Sequence, residues 1–199
     1  MKLGCVVLAS GEGRRFGGNK MLADVIGVPL VIRTAASVPS PFDLVVSTRW
    51  DEVARLCGEA GYACALHGGA LRSESVRAGL EYGEGRGWDG CLFLPGDQPL
   101  VGAASFKALA RVFAEHGGVS PVRLSGPDGA PASPVLFPGS MFGGLRSLEG
   151  KNGGSALLRG RDDVVLVPAR DFELWDVDTV EALARVRERL ARQEIKEQR

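Results

Sequence analysis

Short apolar runs alternate with amphipathic stretches along this chain. Leu3 to Leu8 is apolar on every position and has the length of a strand. Tyr62 to Leu66 and Gly90 to Leu94 follow the same pattern, and Asp43 to Thr48 is built around Leu44-Val45-Val46. Runs without polar alternation suit strands covered on both faces. Between them the apolar positions recur at helical spacing. They predict helices from about Leu30 to Val38, from Asp51 to Ala60 with Gly61 as the stop, beyond Ser75 with Val76 and Leu80 on one face, and from Ala103 to Glu115. The alternation predicts an α/β protein of three layers, with a mostly parallel mixed sheet and helices on both faces.

The second half is less regular. Val119 to Arg123 reads as a strand. Residues 126–134 hold three prolines in nine positions and read as a stiff, extended loop. Met141 to Leu148 and Ala156 to Arg159 read as helices, and Val164 to Val167 and Phe172 to Val177 as closing strands. The last helix carries Leu183, Val186 and Leu190 on one face. Asp178 and Glu181 have the spacing of a capping box at its start. Residues 185–199 mix Arg and Glu densely, as a solvated, fraying helix end does.

At 199 residues the expected organisation is one domain spanning residues 1–199. Lys plus Arg equals Asp plus Glu at 24 each, which removes any general pull toward nucleic acid or anionic membrane. No apolar run reaches the length of a membrane span, and the first residues lack a signal-peptide pattern, so a cytoplasmic location is expected. Cys5, Cys57, Cys64 and Cys91 form no Cys-x-x-Cys pair and read as buried free thiols.

Charge is instead concentrated locally. Residues 1–20 hold Lys2, Arg14, Arg15 and Lys20 against Glu12, and four glycines fall between Leu8 and Lys20. Glycine lets a ligand approach the main chain closely, and free N–H groups with nearby cations attract phosphate. Lys20 is followed by Met21, so the hydroxyl of a Walker loop is missing, and Phe16 displaces the third glycine of a dinucleotide fingerprint. The loop reads as a triphosphate cradle. Further on, Pro95-Gly96-Asp97-Gln98-Pro99 ends a strand, where open α/β sheets bind ligands. A carboxylate there suits Mg²⁺, and Asp178 is a candidate second ligand. Lys151, in the polar loop 150–155, is a candidate for a second phosphate.

The pattern Leu-Ala-x-Gly-x-Gly-x-Arg-x-Gly-x-x-Lys resembles the signature loop of nucleotidyltransferases with a Rossmann-like sheet. Gly69, Arg72 and Ser75, within Gly-Gly-x-x-Arg-x-x-Ser-Val-x-x-Gly-Leu, resemble the segment that surrounds the base and phosphates in cytidylyltransferases. With Leu-Pro-Gly-Asp-Gln-Pro, Pro-x-x-Pro-Val-Leu-Phe, Gly-Lys-x-Gly-Gly and Asp-Val-Asp-Thr, the series resembles the molybdenum cofactor cytidylyltransferases over nearly the whole chain.

The resemblance implies transfer of CMP from CTP to the terminal phosphate of molybdenum-molybdopterin, with release of pyrophosphate. It implies Mg²⁺ (or Mn²⁺) on Asp97 and Asp178, and catalysis by Arg15, Lys20 and Asp97. Nucleotide contacts are implied from Leu8, Ala9, Ser10, Gly11, Gly13, Arg15, Lys20, Gly69, Arg72, Ser75, Gly96 and Asp97. A molybdenum hydroxylase is the implied recipient. Ser10 and Gly13 depart from the usual cytidylyltransferase loop, and Gly13 is shared with the guanylyltransferases, so GTP stays open as the donor. Val180 and Ala182 replace the Pro and Asp usual in the closing motif. A cytidylyltransferase acting on a sugar or polyol phosphate, and a nucleotide-binding or cofactor-binding chaperone, are the alternative readings.

Overall fold

The computed structural model describes residues 1–13, 15–150 and 152–197, with side chains described to Gln193. Arg14 and Lys151 lie outside the described residues. Seven strands form one sheet: β1 (Leu3–Leu8), β2 (Asp43–Thr48), β3 (Ala63–Leu66), β4 (Gly90–Pro95), β5 (Val122–Ser125), β6 (Pro131–Pro138) and β7 (Val165–Pro168). Their order is β3-β2-β1-β4-β6-β5-β7. β6 runs antiparallel to β4 and β5, and every other pairing is parallel. The expected mixed, mostly parallel α/β sheet is therefore present.

The alternation of side chains across the sheet sorts the core into two layers. Cys5 and Val7 of β1 and Leu92 and Leu94 of β4 meet α1 (Leu30–Ser37), α2 (Asp51–Glu59) and α4 (Ala103–Glu115) through Val31, Val53, Phe106, Leu109 and Phe113. Val6, Cys91 and Phe93 face the other way, onto α3 (Arg72–Gly83) and α5 (Phe142–Arg146) through Val76, Leu80 and Leu145. Gly79 lets α3 lie directly on β1, since a Cβ there would sit 2.4 Å from Val6 Cγ1. All four cysteines are unbridged, and Cys5, Cys57 and Cys91 are buried.

Several expected boundaries move. The loop 126–134 is a short turn, closed by Gly126 N donating to Ala130 O at 2.9 Å, and β6 already begins at Pro131. Residues 119–121 stay outside β5, because the chain leaves α4 through Gly117 and Gly118 at positive φ. The expected strand Phe172 to Val177 is absent: Asp171–Leu174 is a single 3₁₀ turn, and residues 175–178 cross the sheet end as a strap. Glu173, 6% exposed, is the cause. Its Oε1 accepts from Gly102 N at 2.9 Å and Ser105 Oγ at 2.7 Å, at the start of α4, while Oε2 accepts from Arg170 N at 3.1 Å. A helix N-terminus offers unpaired donors and a favourable dipole to such a carboxylate. Truncating Glu173→Ala leaves these donors buried and unpaired. We expect a loss of about 2–3 kcal/mol, a fall in Tm of roughly 4–12 °C in a circular-dichroism melt, with Glu173→Gln losing less.

The last helix, α6 (Val180–Glu197), packs Val186 and Leu183 against Val25, Leu30 and Val177. Its start corrects the expected capping box. Thr179 Oγ1 accepts from Ala182 N at 3.2 Å, so the cap is Thr179 and the Asp178 side chain is released from that duty.

Candidate active site

β1 and β4 are neighbours in register, with Leu8 opposite Pro95, so the loops that follow them leave the sheet side by side. This is the position at which the strand order reverses, where open sheets bind ligands. The two loops are tied together by Gly96 N donating to Leu8 O at 2.9 Å. Thr34 Oγ1 donates to Gly96 O at 2.9 Å, and Thr48 Oγ1 to Ala9 O at 3.1 Å. Gly13 turns the first loop back on itself with φ +59°, and a Cβ there would lie 2.1 Å from Gly18 O. Lys20, Met21 and Leu22 then form one 3₁₀ turn capped by Asn19, whose Oδ1 accepts from Met21 N at 3.2 Å. Met21 is buried beneath it and fixes where the Lys20 stem begins.

Lys20 Nζ donates to Asp97 Oδ2 at 2.5 Å and to Asp178 Oδ1 at 2.7 Å. Arg15 Nη2 donates to Asp178 Oδ2 at 2.5 Å. Asp178 arrives because Val177 N donates to Asp97 O at 2.9 Å, pinning the strap across the end of β4. Burial works against the Lys20 ammonium, but Asp97 and Asp178 outweigh it and raise its pKa. The Lys20 hydrogen bond, opposed by burial and aided by the charges of Lys20 and Arg15, holds the Asp178 carboxyl below its ordinary value. Asp97, Asp176 and Asp178 each offer a carboxylate oxygen within 4.8 Å of the others. Three hard oxygen donors on partly exposed side chains fit Mg²⁺ or Mn²⁺.

These groups line a cavity of about 720 Å³. Of the residues named from the sequence, Leu8, Ser10, Gly11, Arg15, Lys20, Arg72, Ser75, Asp97 and Asp178 form its wall. Ala9, Gly13, Gly69 and Gly96 are not among the wall residues. Gly69 packs on the Glu74 carboxylate, which caps α3 by accepting from Leu71 N at 2.8 Å. The far wall comes from β6 (Ser133, Val135, Phe137) and from residues 152–156. Gly153 lies against the Arg72 side chain, and Ser73 Oγ donates to Gly150 O at 3.0 Å, so this loop leans on the start of α3.

The sequence leaves open whether Asp176 joins Asp178 at the metal, and gives no role to Arg159 or His67. Asp176 and Arg159 line the cavity, and His67 stands immediately behind it. Asp176 was legible as the first acid of Asp-Val-Asp. His67 carried no spacing signal, because its partners lie on β1's loop and on α3.

Triphosphate chemistry asks for cations beside hard oxygen donors at the mouth of a sheet, and this cavity holds both. The class so defined is the nucleotidyltransferases. Residues 5–165 match the MobA-like NTP transferase domain, and the chain belongs to that family.

Relatives of several kinds share the sequence. A purine catabolism protein, PucB of Bacillus subtilis, is 29% identical over 92% of this chain and 94% of its own. The bifunctional enzyme IspD/IspF of Rhodospirillum rubrum is 33% identical over 60% of this chain, and the aligned part is 34% of its length. A molybdenum cofactor guanylyltransferase of Rhodobacter capsulatus is 27% identical over 58% of this chain and 62% of its own. The chain thus spans about a third and about three fifths of the latter two.

Among solved structures, the Mycobacterium sp. strain JC1 homologue of Rv0371c superimposes with a TM-score of 0.79 at 25% identity, over 97% of this chain and all of its own. Rv0371c of Mycobacterium tuberculosis, solved with manganese, gives 0.73 at 24% over 94% of this chain and 99% of its own. A CMP:2-keto-3-deoxy-manno-octonic acid synthetase complexed with CTP gives 0.77 at 14% over 97% of this chain and 100% of its own, a likeness of fold.

Proposed function

We propose that residues 1–199 form one nucleotidyltransferase domain that transfers CMP from CTP to the terminal phosphate of molybdenum-molybdopterin, releasing pyrophosphate. The observation that carries the transfer chemistry is Lys20 held between Asp97 and Asp178 at the mouth of the cationic first loop. The acceptor reading is supported by the motif series and by the molybdenum cofactor guanylyltransferase among the relatives. The donor reading is supported by the Arg72 and Ser75 segment and by the CTP-bound neighbour of like fold. GTP is the competing donor, on the strength of Gly13 and that same guanylyltransferase.

In this mechanism an oxygen of the acceptor phosphate attacks the α-phosphorus, and the bond from that phosphorus to the bridging oxygen of the leaving pyrophosphate breaks. The acceptor phosphate is already ionised near neutral pH, so no general base is needed. Arg15 and Lys20 offset charge on the triphosphate and on the departing pyrophosphate. Arg72, on the cavity wall, contacts the phosphates of the same nucleotide. Asp97, Asp176 and Asp178 would hold the divalent ion, which when bound neutralises phosphate oxygens and orients them. Positioning and charge account for the rate, as in other phosphoryl-type transfers.

The test is pyrophosphate release with CTP, GTP, ATP and UTP, each with and without molybdenum-loaded molybdopterin. Release with CTP that depends on the acceptor is the expected result. Acceptor-dependent release with GTP keeps the chemistry and changes the product. Release only with a sugar or polyol phosphate would replace the acceptor. Tight CTP binding without release in any mixture would favour a carrier that hands nucleotide or cofactor to a molybdenum hydroxylase.

A further inference from the structure

His67 follows β3 and is anchored by its own backbone N–H, which donates to Thr48 O at 3.0 Å. Its ring does not line the cavity. Its Nε2 lies 2.9 Å from Ser10 Oγ and 3.1 Å from Ser75 Oγ, and both of those serines do line it. Ser10 comes from the first loop and Ser75 from the first turn of α3, so one ring nitrogen joins the two walls. Ser75 is 2% exposed, and the carbonyl behind its hydroxyl accepts from Ser47 Oγ at 2.8 Å. Ser10 Oγ also has Ser47 O within 3.5 Å. His67 Nδ1 is buried, without a well-aligned hydrogen bond among the described residues. Burial first, and Arg49 second, favour the neutral ring, against Glu74 and the Gly69 backbone.

A neutral imidazole carries one hydrogen on its two nitrogens. Nε2 is therefore a donor or an acceptor toward both serines, never one for each. If it donates, both hydroxyl oxygens accept, and each hydroxyl hydrogen turns away from the ring: that of Ser10 toward Ser47 O, that of Ser75 elsewhere. If it accepts, one hydroxyl hydrogen is held by the ring and the other must turn away. A donating Nε2 thus leaves both hydroxyl hydrogens to point away from the ring, and an accepting Nε2 holds one hydrogen and leaves that oxygen only lone pairs to offer, so the ring tautomer biases the sign the pair presents. Hydroxyls that rotate freely accommodate an amino or a keto group equally well. Hydroxyls fixed in polarity reject the group of the wrong sign, because a mismatch leaves a buried polar atom unpaired.

We infer that His67 is a positioning residue for base discrimination, biasing the polarity that the Ser10 and Ser75 hydroxyls present so that the cavity distinguishes an amino from a keto group on a nucleobase of fixed ring size. The inference rests on the nucleotidyltransferase reading, with the base lodged beside Ser10 and Ser75.

The measurement is equilibrium binding of CTP, UTP, GTP, ATP and inorganic triphosphate to wild type, His67→Ala and His67→Gln, each with Mn²⁺, together with kcat and KM wherever turnover is seen. Wild type is expected to prefer one partner of the amino/keto pair on its preferred ring by about tenfold or more. That pair is CTP against UTP for a pyrimidine, or GTP against ATP for a purine. In His67→Ala this ratio is expected to fall below about threefold, through KM rather than kcat. The pyrimidine-to-purine preference and the affinity for inorganic triphosphate should stay within about twofold. Glutamine places an amide nitrogen near the position of Nε2 and should recover part of the ratio. An unchanged amino/keto ratio in His67→Ala overturns the inference and leaves the enzyme reading intact. Equal weakening of all four nucleotides and of triphosphate in both variants also overturns it, since that is the mark of a residue that only supports the loop. A wild type that binds all four nucleotides equally overturns the base pocket itself, and His67 with it.

Discussion

Lys20→Ala is expected to lower kcat by about 100-fold or more while the chain still folds. Lys20 is 6% exposed and its ammonium touches both Asp97 and Asp178, and among the described residues no other cation bridges the two carboxylates. Arg15 reaches only Asp178 and has a side chain that is 73% exposed, where solvent weakens its effect. The two carboxylates left behind are 18% and 31% exposed. Water reaches them, so the stability loss should fall between the ~1 kcal/mol of an exposed pair and the ~3–5 kcal/mol of a fully buried one.

The pH dependence of that stability has a defined sign. Asp178, with its folded pKa depressed, stabilises fully above its unfolded value of about 4 and loses this as pH falls through the lower folded value. Lys20, with its folded pKa raised, stabilises below about 10.4 and loses this as pH rises through the higher folded value. Lys20→Met should therefore flatten both limbs of a pH–Tm curve relative to wild type. Turnover close to wild type in Lys20→Ala, by pyrophosphate release, would remove Lys20 from the mechanism.

Asp97→Asn is expected to match or exceed that loss of kcat, again about 100-fold or more, and to weaken Mn²⁺ binding at least tenfold in a titration without nucleotide. Asparagine preserves the shape of the side chain and removes the charge. Asp97 sits at the end of β4, and its backbone carbonyl fixes the strap through Val177, so its position does not depend on the side chain. Asp178→Asn should cost less, because Asp176 stands within the same 4.8 Å cluster and retains its charge. Equal Mn²⁺ affinity in wild type and Asp97→Asn would place the ion elsewhere.

What could be read from the sequence follows the range of the forces involved. β1 and β4 were legible because a strand covered on both faces is apolar almost throughout, and α1, α2 and α4 because a single buried stripe sets the helical period. Phe172 to Val177 has the alternation of a strand, but Glu173 is claimed by the first turn of α4, some seventy residues away in sequence. Asp178 and Glu181 have the spacing of a cap, yet Thr179 takes the role, since Asp178 is drawn to Lys20 and Arg15. In each case a distant partner outweighed a local rule. Lys20 and Asp97 were visible because each lies in a local motif. His67 was not, because its two partners are joined to it only by the fold.

The strap has a consequence for how the protein is made. Residues 1–95 contain β1 to β4 and can pair in the order β3-β2-β1-β4 while the rest of the chain is still being synthesised. The third acid of the cluster, Asp178, belongs to the last part of the chain and is set in place by Glu173 and Val177. A nascent chain can therefore display the glycine-rich first loop well before it can bring Asp176 and Asp178 opposite it. The acid cluster is complete only once the strap is bonded across the end of β4.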